Sequence, residues 1–293
     1  MELDNLKAFL IVAETGSFSR AAEKLFLTQP AISKRISSLE SELDTRLFDR
    51  IGHRINLTEA GKSLLPRAQR ILIEVEDSRR AVANLTGSVS GPLSIGTSHH
   101  IGLHRLPPVL REFTQVYPQV HLNIEFMDSE AACNSVLHGE LELGIVTLPL
   151  ENDPSLRLLP IWHDPLAIVV APGHPLSKKK KIEARQLSEY PSVLPSSGTF
   201  TREVLERTLK PLGVELHTGM ATNYLETIKM LVSVGLGWSV LPCSMLDKDL
   251  KVINVNGLEM QRTLGAVMHV ERTLSNAALA LVRMLEQYGD IKT

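Results

Sequence analysis

The chain has 293 residues, room for two or three domains of ordinary size. Hydrophobic residues make up 43%, which supplies real cores and excludes a disordered or collagen-like chain. Net charge is only −2, so the molecule as a whole is not a binder of polyanions, and no apolar run reaches the roughly 18 residues that a spanning helix needs. The opening Met1-Glu2-Leu3-Asp4 lacks the basic and apolar regions of a signal peptide, and the expected location is the cytoplasm. Cys133 and Cys243 provide neither a disulfide framework nor metal-ligand spacing. Both lie in apolar sequence and are expected to be buried, inert thiols.

Leu3, Leu6, Leu10 and Ala13 repeat at helical spacing, and Glu14-Thr15-Gly16-Ser17 interrupts them with turn-forming residues. A short second helix is predicted from Ser19 to Leu25, with Ala21 and Ala22 permitting close helix approach. Thr28 is a good N-cap and Pro30 suits a first turn, so a third helix is predicted from there to about Leu43. Ile32, Ile36, Leu39 and Leu43 form its apolar stripe. Gln29, Ser33 and Ser37 lie on another side, with Lys34 and Arg35 beside them. An amide, short hydroxyls and cations suit base edges and phosphates, although a solvated surface helix carries the same types. Leu47 to Leu57 alternates about Gly52 and predicts a β-ribbon flanked by Arg50 and Arg54. From Arg20 to Arg70 ten basic residues face six acidic ones, a local surplus of four.

This stretch resembles the LysR-type transcriptional regulators. The likeness rests on Ala21-Ala22-Glu23-Lys24-Leu25, Thr28-Gln29-Pro30-Ala31-Ile32-Ser33, Leu39-Glu40, Leu47-Phe48-Asp49-Arg50 and Leu57-Thr58-Glu59-Ala60-Gly61. It implies a winged helix-turn-helix with Gln29, Pro30, Ser33 and Lys34 facing the major groove of double-stranded operator DNA, and Arg50 and Arg54 near phosphate. Two positions depart from the family pattern. His53 stands where a basic wing residue is usual, and a neutral His weakens a phosphate contact. Lys34 stands where Arg is common, and Lys lacks the bidentate fork.

A long helix is predicted from Thr58 to about Leu85. Leu64, Ala68, Ile71, Val75, Ser78, Val82 and Leu85 follow a heptad seam flanked by charges, which favours pairing with a second copy over packing on the same chain. The resemblance agrees on dimerisation and adds a tetramer, and RNA polymerase as a partner if the protein activates. The domains are expected at 1–58 (winged helix-turn-helix), 59–87 (linker helix), 88–91 (hinge) and 92–293.

Beyond Pro92 strands and helices alternate, which predicts parallel α/β sheets. Strands are predicted at 93–96, 120–126, 143–147, 167–171, 238–241 and 264–270. Helices are predicted at 101–116, 129–138, 201–209, 223–234 and 274–288. This half resembles the LysR-type effector domain, through Leu106-Pro107, Tyr117-Pro118, Gly139-Glu140-Leu141-Glu142-Leu143-Gly144-Ile145, Ala171-Pro172-Gly173-His174-Pro175-Leu176 and Gly235-Leu236-Gly237-Trp238-Ser239-Val240-Leu241-Pro242. The resemblance implies a fold like the type 2 periplasmic binding proteins. It has two α/β subdomains, about 92–161 plus 269–293 and about 162–268. Ligands of such sheets lie beyond the strand C-termini, where helices begin. Thr97, Ser98, His99, His100, Thr147, Ser196, Ser197, Gly198, Thr199, Asn223 and Glu226 converge there, and hydroxyls with free helix-start N–H groups favour an anionic effector, although Ser98 and Thr199 also serve as simple helix caps.

No cofactor is implied. Adjacent His99 and His100 diverge and have no partner at ligand spacing, so no metal is expected. Lys178 to Lys181 reads as a solvated loop. Phosphate-loop, nucleophile-elbow and metal-helix motifs are absent from the sequence, which favours a regulator over an enzyme. A DNA-architectural protein indifferent to small molecules is the second rival.

Overall fold

A computed structural model describes residues 1–51, 54–151, 153–179 and 181–291, except the side chains of Arg50, Ile51 and Arg54. The chain forms two units, Met1–Thr86 and Gly87–Thr293.

In the first unit, α1 (Leu3–Thr15) ends on Gly16 at φ 60°, a left-handed conformation that glycine adopts without strain. Ser17 caps α2 (Phe18–Lys24) by accepting from the Arg20 N–H. Thr28 caps α3 (Gln29–Glu42) through the Ala31 N–H, and Pro30 falls in its first turn, as the sequence predicts. Leu6, Phe9, Ala21, Ile32, Ile36 and Leu39 fill the space between the three helices. Leu43, expected on the apolar stripe, is instead exposed, because it caps α3 where the helix leaves the core. The strands β1 (Phe48–Ile51) and β2 (Arg54–Leu57) pair antiparallel, with Phe48 opposite Leu57. Phe48 ties this ribbon to the helices, its ring 5.4 Å from Phe9 and 6.1 Å from Phe18. Thr58 then caps α4 (Glu59–Asn84) through the Gly61 N–H at 3.0 Å. Gly61 is required there: an added Cβ would stand 2.3 Å from the Leu47 carbonyl oxygen.

The second unit begins with β3 (Gly91–Thr97). Here the single helix expected over 101–116 is two, α5 (His99–His104) and α6 (Leu106–Val116). Pro107 and Pro108 lack the N–H groups that would continue α5, and the chain breaks at Arg105. There follow β4 (Val120–Phe126), α7 (Ser129–Leu137), β5 (Leu143–Thr147) and the 15-residue β6 (Leu156–Val170). Next come β7 (Ser192–Leu194), α8 (Phe200–Leu209), β8 (Thr218–Ala221), α9 (Leu225–Ser233) and β9 (Ser239–Pro242). The chain closes with β10 (Lys251–Val252), β11 (Met260–His269) and α10 (Asn276–Gln287). Among the described residues no helix is long and apolar enough to cross a membrane.

The sheet is mixed, which corrects the all-parallel expectation. Strand β3 pairs parallel with β4 and β5, whereas β11 pairs antiparallel with both β5 and β6. The halves of β6 and β11 serve different lobes. Ile161, Trp162, Leu264 and Met268 pack in a first core with α6 and α10. Leu166, Ile168, Val170 and Met260 pack in a second core with α8, where β9 and β10 extend β6. Two strands therefore run from lobe to lobe and form the hinge. Pairing slips at a bulge between Leu264 and Gly265, where Gly265 lies against Pro160, and Ile161 is left to accept from the Asp290 N–H at 3.0 Å.

Candidate functional sites

In the first unit, α3 presents Gln29, Pro30 and Lys34 exposed and Ser33 half-buried. The Thr28 cap fixes the start of this face, and burial of Ile32, Ile36 and Leu39 fixes its rotation. The Gln29 amide donates to the Ser33 hydroxyl at 3.0 Å, holding two prospective base-reading groups side by side. Arg35 is directed elsewhere, onto the Asp4 carboxylate of α1 at 3.0 Å. A groove of about 330 Å³ between the start of α1 and α3 has Lys34 and Arg35 on one wall and Glu2 and Asp4 on the other. Side chains of Arg50 and Arg54 lie outside the described residues, as do Gly52 and His53. Sequence reasoning overlooked Glu40, whose Oε1 accepts from the backbone N–H groups of Leu47 and Phe48 at 2.8 and 3.3 Å. That carboxylate fastens the ribbon to the C-terminal end of α3.

The seam predicted along α4 divides. Ala68 is fully buried, and Leu64 and Ile71 pack with it on the unit's own helical core. A side chain without exposure offers nothing to a second subunit, so Ala68 is removed from the dimerisation set. Val82 and Leu85, farther along, are 69% and 86% exposed.

In the second unit a cavity of about 50 Å³ lies between the lobes. Six of the eleven predicted residues line it: Ser98, His99, His100, Thr147, Thr199 and Asn223. The other five do not. Thr97 is buried and donates to the Ile145 carbonyl at 2.8 Å, as expected of a hydroxyl on an interior strand. Ser196 is occupied through its backbone, its N–H on Asn223 Oδ1 and its carbonyl accepting from Thr199. Ser197 is exposed, and Gly198 supplies a turn at φ +87°. Glu226 faces His104 at 3.2 Å, outside the lining.

The lobes meet through carboxylates that sequence reasoning did not single out. Asp128 accepts from the Asn223 amide at 2.6 Å. Glu130, on α7, accepts from the backbone N–H of Phe200 at the start of α8. The anion position expected at that helix start is thus filled by one of the protein's own carboxylates. Burial is the main cause that raises the Glu130 pKa, partly offset by this hydrogen bond. Arg262, on β11, is the cavity's cation and was also overlooked. Its Nε donates to Asp164 at 2.7 Å and its Nη1 to Thr201 at 2.7 Å, while Nη2 is buried with no hydrogen-bond partner among the described residues. His100 is 3% exposed, and burial, assisted by Arg262, His104 and Arg105, lowers its pKa to about 3. It is therefore neutral near pH 7. An Arg and an Asp inside largely apolar strand segments were the available signals for this hinge pair.

Cys133 is buried on α7, as expected. Cys243 is exposed just after β9, contrary to the expectation of two buried thiols, because the chain leaves the core at Pro242.

Comparisons with known proteins agree with this architecture. A model described as "Bacterial regulatory helix-turn-helix protein, lysR family" matches residues 3–62, and one described as "LysR substrate binding domain" matches residues 86–290. A "Probable RuBisCO transcriptional regulator" of Trichormus variabilis is 32% identical over 288 residues, covering 95% of this chain and 86% of that protein. An "Uncharacterized HTH-type transcriptional regulator in ibpB-leuC intergenic region" of Azotobacter vinelandii is 66% identical over 108 residues, 37% of this chain and 75% of that protein. Among solved structures, a full-length OxyR variant from Pseudomonas aeruginosa superposes with a TM-score of 0.69 at 25% identity, covering 98% of this chain and 94% of that one. Full-length CbnR complexed with its target DNA has the same fold, with a TM-score of 0.64 at 23% identity and coverage of 99% and 100%.

Proposed function

This chain belongs to the LysR family of transcriptional regulators, and we propose that its α3 face reads operator DNA while the cavity between its lobes binds an anionic small molecule that sets its activity. Gln29, Ser33 and Lys34 are the base-facing groups, Pro30 keeps the start of α3 against the groove, and Arg50 and Arg54 reach phosphate. Arg35 acts from beside α1, where Asp4 holds it.

The observation that carries the effector assignment is the buried Nη2 of Arg262, unpartnered among the described residues, at a cavity where the Phe200 N–H that starts α8 is already held by a carboxylate. A buried guanidinium donor without an acceptor is costly, and an anion supplies the acceptor. The cavity is too small for a metabolite as it stands. An incoming carboxylate therefore replaces Glu130 at the Phe200 N–H, pairs with Arg262, and spreads the lobes about β6 and β11. The effector shifts the balance between lobe arrangements only by binding one of them more tightly. Such regulation needs no catalytic step. The exposed end of α4, from Val75 through Ser78 and Val82 to Leu85, is the dimer contact, and pairs of dimers make a tetramer acting on DNA in the cytoplasm, with RNA polymerase as partner where the protein activates.

A melting screen of the full-length chain against small mono- and dicarboxylates tests the effector assignment. A hit should raise Tm progressively with the logarithm of ligand concentration, and Arg262→Gln should abolish that rise. A hit that stabilises Arg262→Gln equally removes Arg262 from the site, and no hit at all favours a DNA-architectural protein indifferent to metabolites.

A further inference from the structure

We infer that His100, His104 and Glu226 form a binding site for a divalent transition-metal ion of the Zn²⁺ class, which joins the two lobes beside the cavity. One ring nitrogen from each histidine and one carboxylate oxygen of Glu226 all lie within 4.8 Å of one another. His100 and His104 are four residues apart on α5, a spacing that turns both rings to one face, and their ring centroids are 4.9 Å apart. Glu226 arrives from the first turn of α9 in the other lobe, its Oε1 3.2 Å from His104 Nε2. A zinc-class ion holds its nitrogen and oxygen ligands at about 2.0–2.2 Å. His104 and Glu226 are each 38% exposed, so both side chains have room to turn toward an ion.

An ion pair accounts for His104 and Glu226 alone. It leaves His100 unexplained, since neither of its buried ring nitrogens has a hydrogen-bond partner among the described residues. Buried polar atoms are nearly always satisfied, and a metal ion supplies the missing partner. Two imidazoles with one carboxylate suit zinc, nickel or copper better than the hard ions magnesium and calcium. Arg105 and Arg262 stand nearby, and both hydrogen-bond the Asp164 carboxylate, which tempers their repulsion of a cation. That carboxylate lies 3.9 Å from His100 Nε2. The His99–His100 pair misdirected the sequence reading: adjacent rings diverge, and the partner is His104, one helical turn on. Three protein ligands would leave a fourth coordination position for water or another ligand.

The test uses the full-length chain, stripped with a chelator and titrated with ZnCl₂ against a chromophoric competitor, then with CoCl₂ under visible absorption. The expected result is one saturable site, d–d bands from bound Co²⁺, and a Tm that rises with Zn²⁺ because the ion ties lobe to lobe. His104→Gln and Glu226→Gln should each weaken Zn²⁺ binding by at least about tenfold and remove the Tm rise. His138→Gln, at the exposed end of α7, should change neither. Affinity undiminished in both His104→Gln and Glu226→Gln overturns the site, as does a wild-type chain without saturable binding.

Discussion

Individual residues carry much of the behaviour that separates this cavity from an ordinary packed seam. Burial pushes the Cys133 thiol up to about 12 and also raises Cys243, which is nonetheless exposed. Thiolate is the reactive form, so iodoacetamide at mildly alkaline pH should label Cys243 slowly and Cys133 only once the chain is unfolded. Peptide mapping after a time course reads this, and early label on Cys133 contradicts the described packing of α7. Glu130 offers a pH test. Its folded pKa is raised, so it is more readily protonated in the native state than in the unfolded one. The resulting penalty is absent below the unfolded carboxylate pKa and grows as pH rises through the folded one. Glu130→Gln keeps an acceptor for the Phe200 N–H without the buried charge. Its stability should equal wild type in acid and exceed it near neutrality, as measured by urea unfolding at several pH values. A gap that widens toward acid reverses the assignment. Ser98, Thr199 and Asn223 were legible because they sit at or just before helix starts, and Thr147 because it ends a strand, both of which local sequence signals; Ser129 and Thr201, which also line the cavity, were not singled out. Arg262, Asp128 and Glu130 were not legible either, because their roles come from pairing with partners 70 to 98 residues away, between neighbouring strands for Arg262 and between lobes for Asp128 and Glu130.

Among the elements, those decided locally were read closely. Strands β4 and β5 fall at the predicted residues, and the Thr28 and Thr58 caps hold. Errors fell where tertiary context outweighs local preference. Pro160 and Pro165 interrupt β6 in sequence, and proline ordinarily argues against a strand. In the fold, Pro160 lies at the bulge opposite Gly265, which tolerates it, so the strand runs from Leu156 rather than from 167. Helix α4 shows how one apolar seam is shared. Its first half is consumed by the core of its own unit, and its second half leaves Val82 and Leu85 to water. Exposed apolar positions at heptad spacing call for a partner. Val82→Asp together with Leu85→Asp should convert dimer to monomer in sedimentation velocity while leaving the helix content of each unit intact. An unchanged sedimentation coefficient for the double variant moves the dimer contact elsewhere.

At the scale of the whole molecule, a helix-turn-helix unit is joined to a two-lobed unit with a cavity between its lobes. Each half has its own internal logic: a cap and a buried stripe orient α3, and the shared strands β6 and β11 connect the two lobes. DNA binding by the purified chain to the promoter region beside its own gene, measured by fluorescence anisotropy across a salt series, tests directly whether α3 reads operator DNA. Gln29→Ala, Ser33→Ala and Lys34→Ala are measured alongside. Binding should be tight, sequence-dependent and steeply weakened by salt. Gln29→Ala, Ser33→Ala and Lys34→Ala should each lose about 1–3 kcal/mol of discrimination against unrelated DNA, and Lys34→Ala, which removes a cation from the reading face, should also flatten the salt slope. Weak binding that ignores sequence and is unmoved by any of the three substitutions would contradict the assignment of α3 as the reading face.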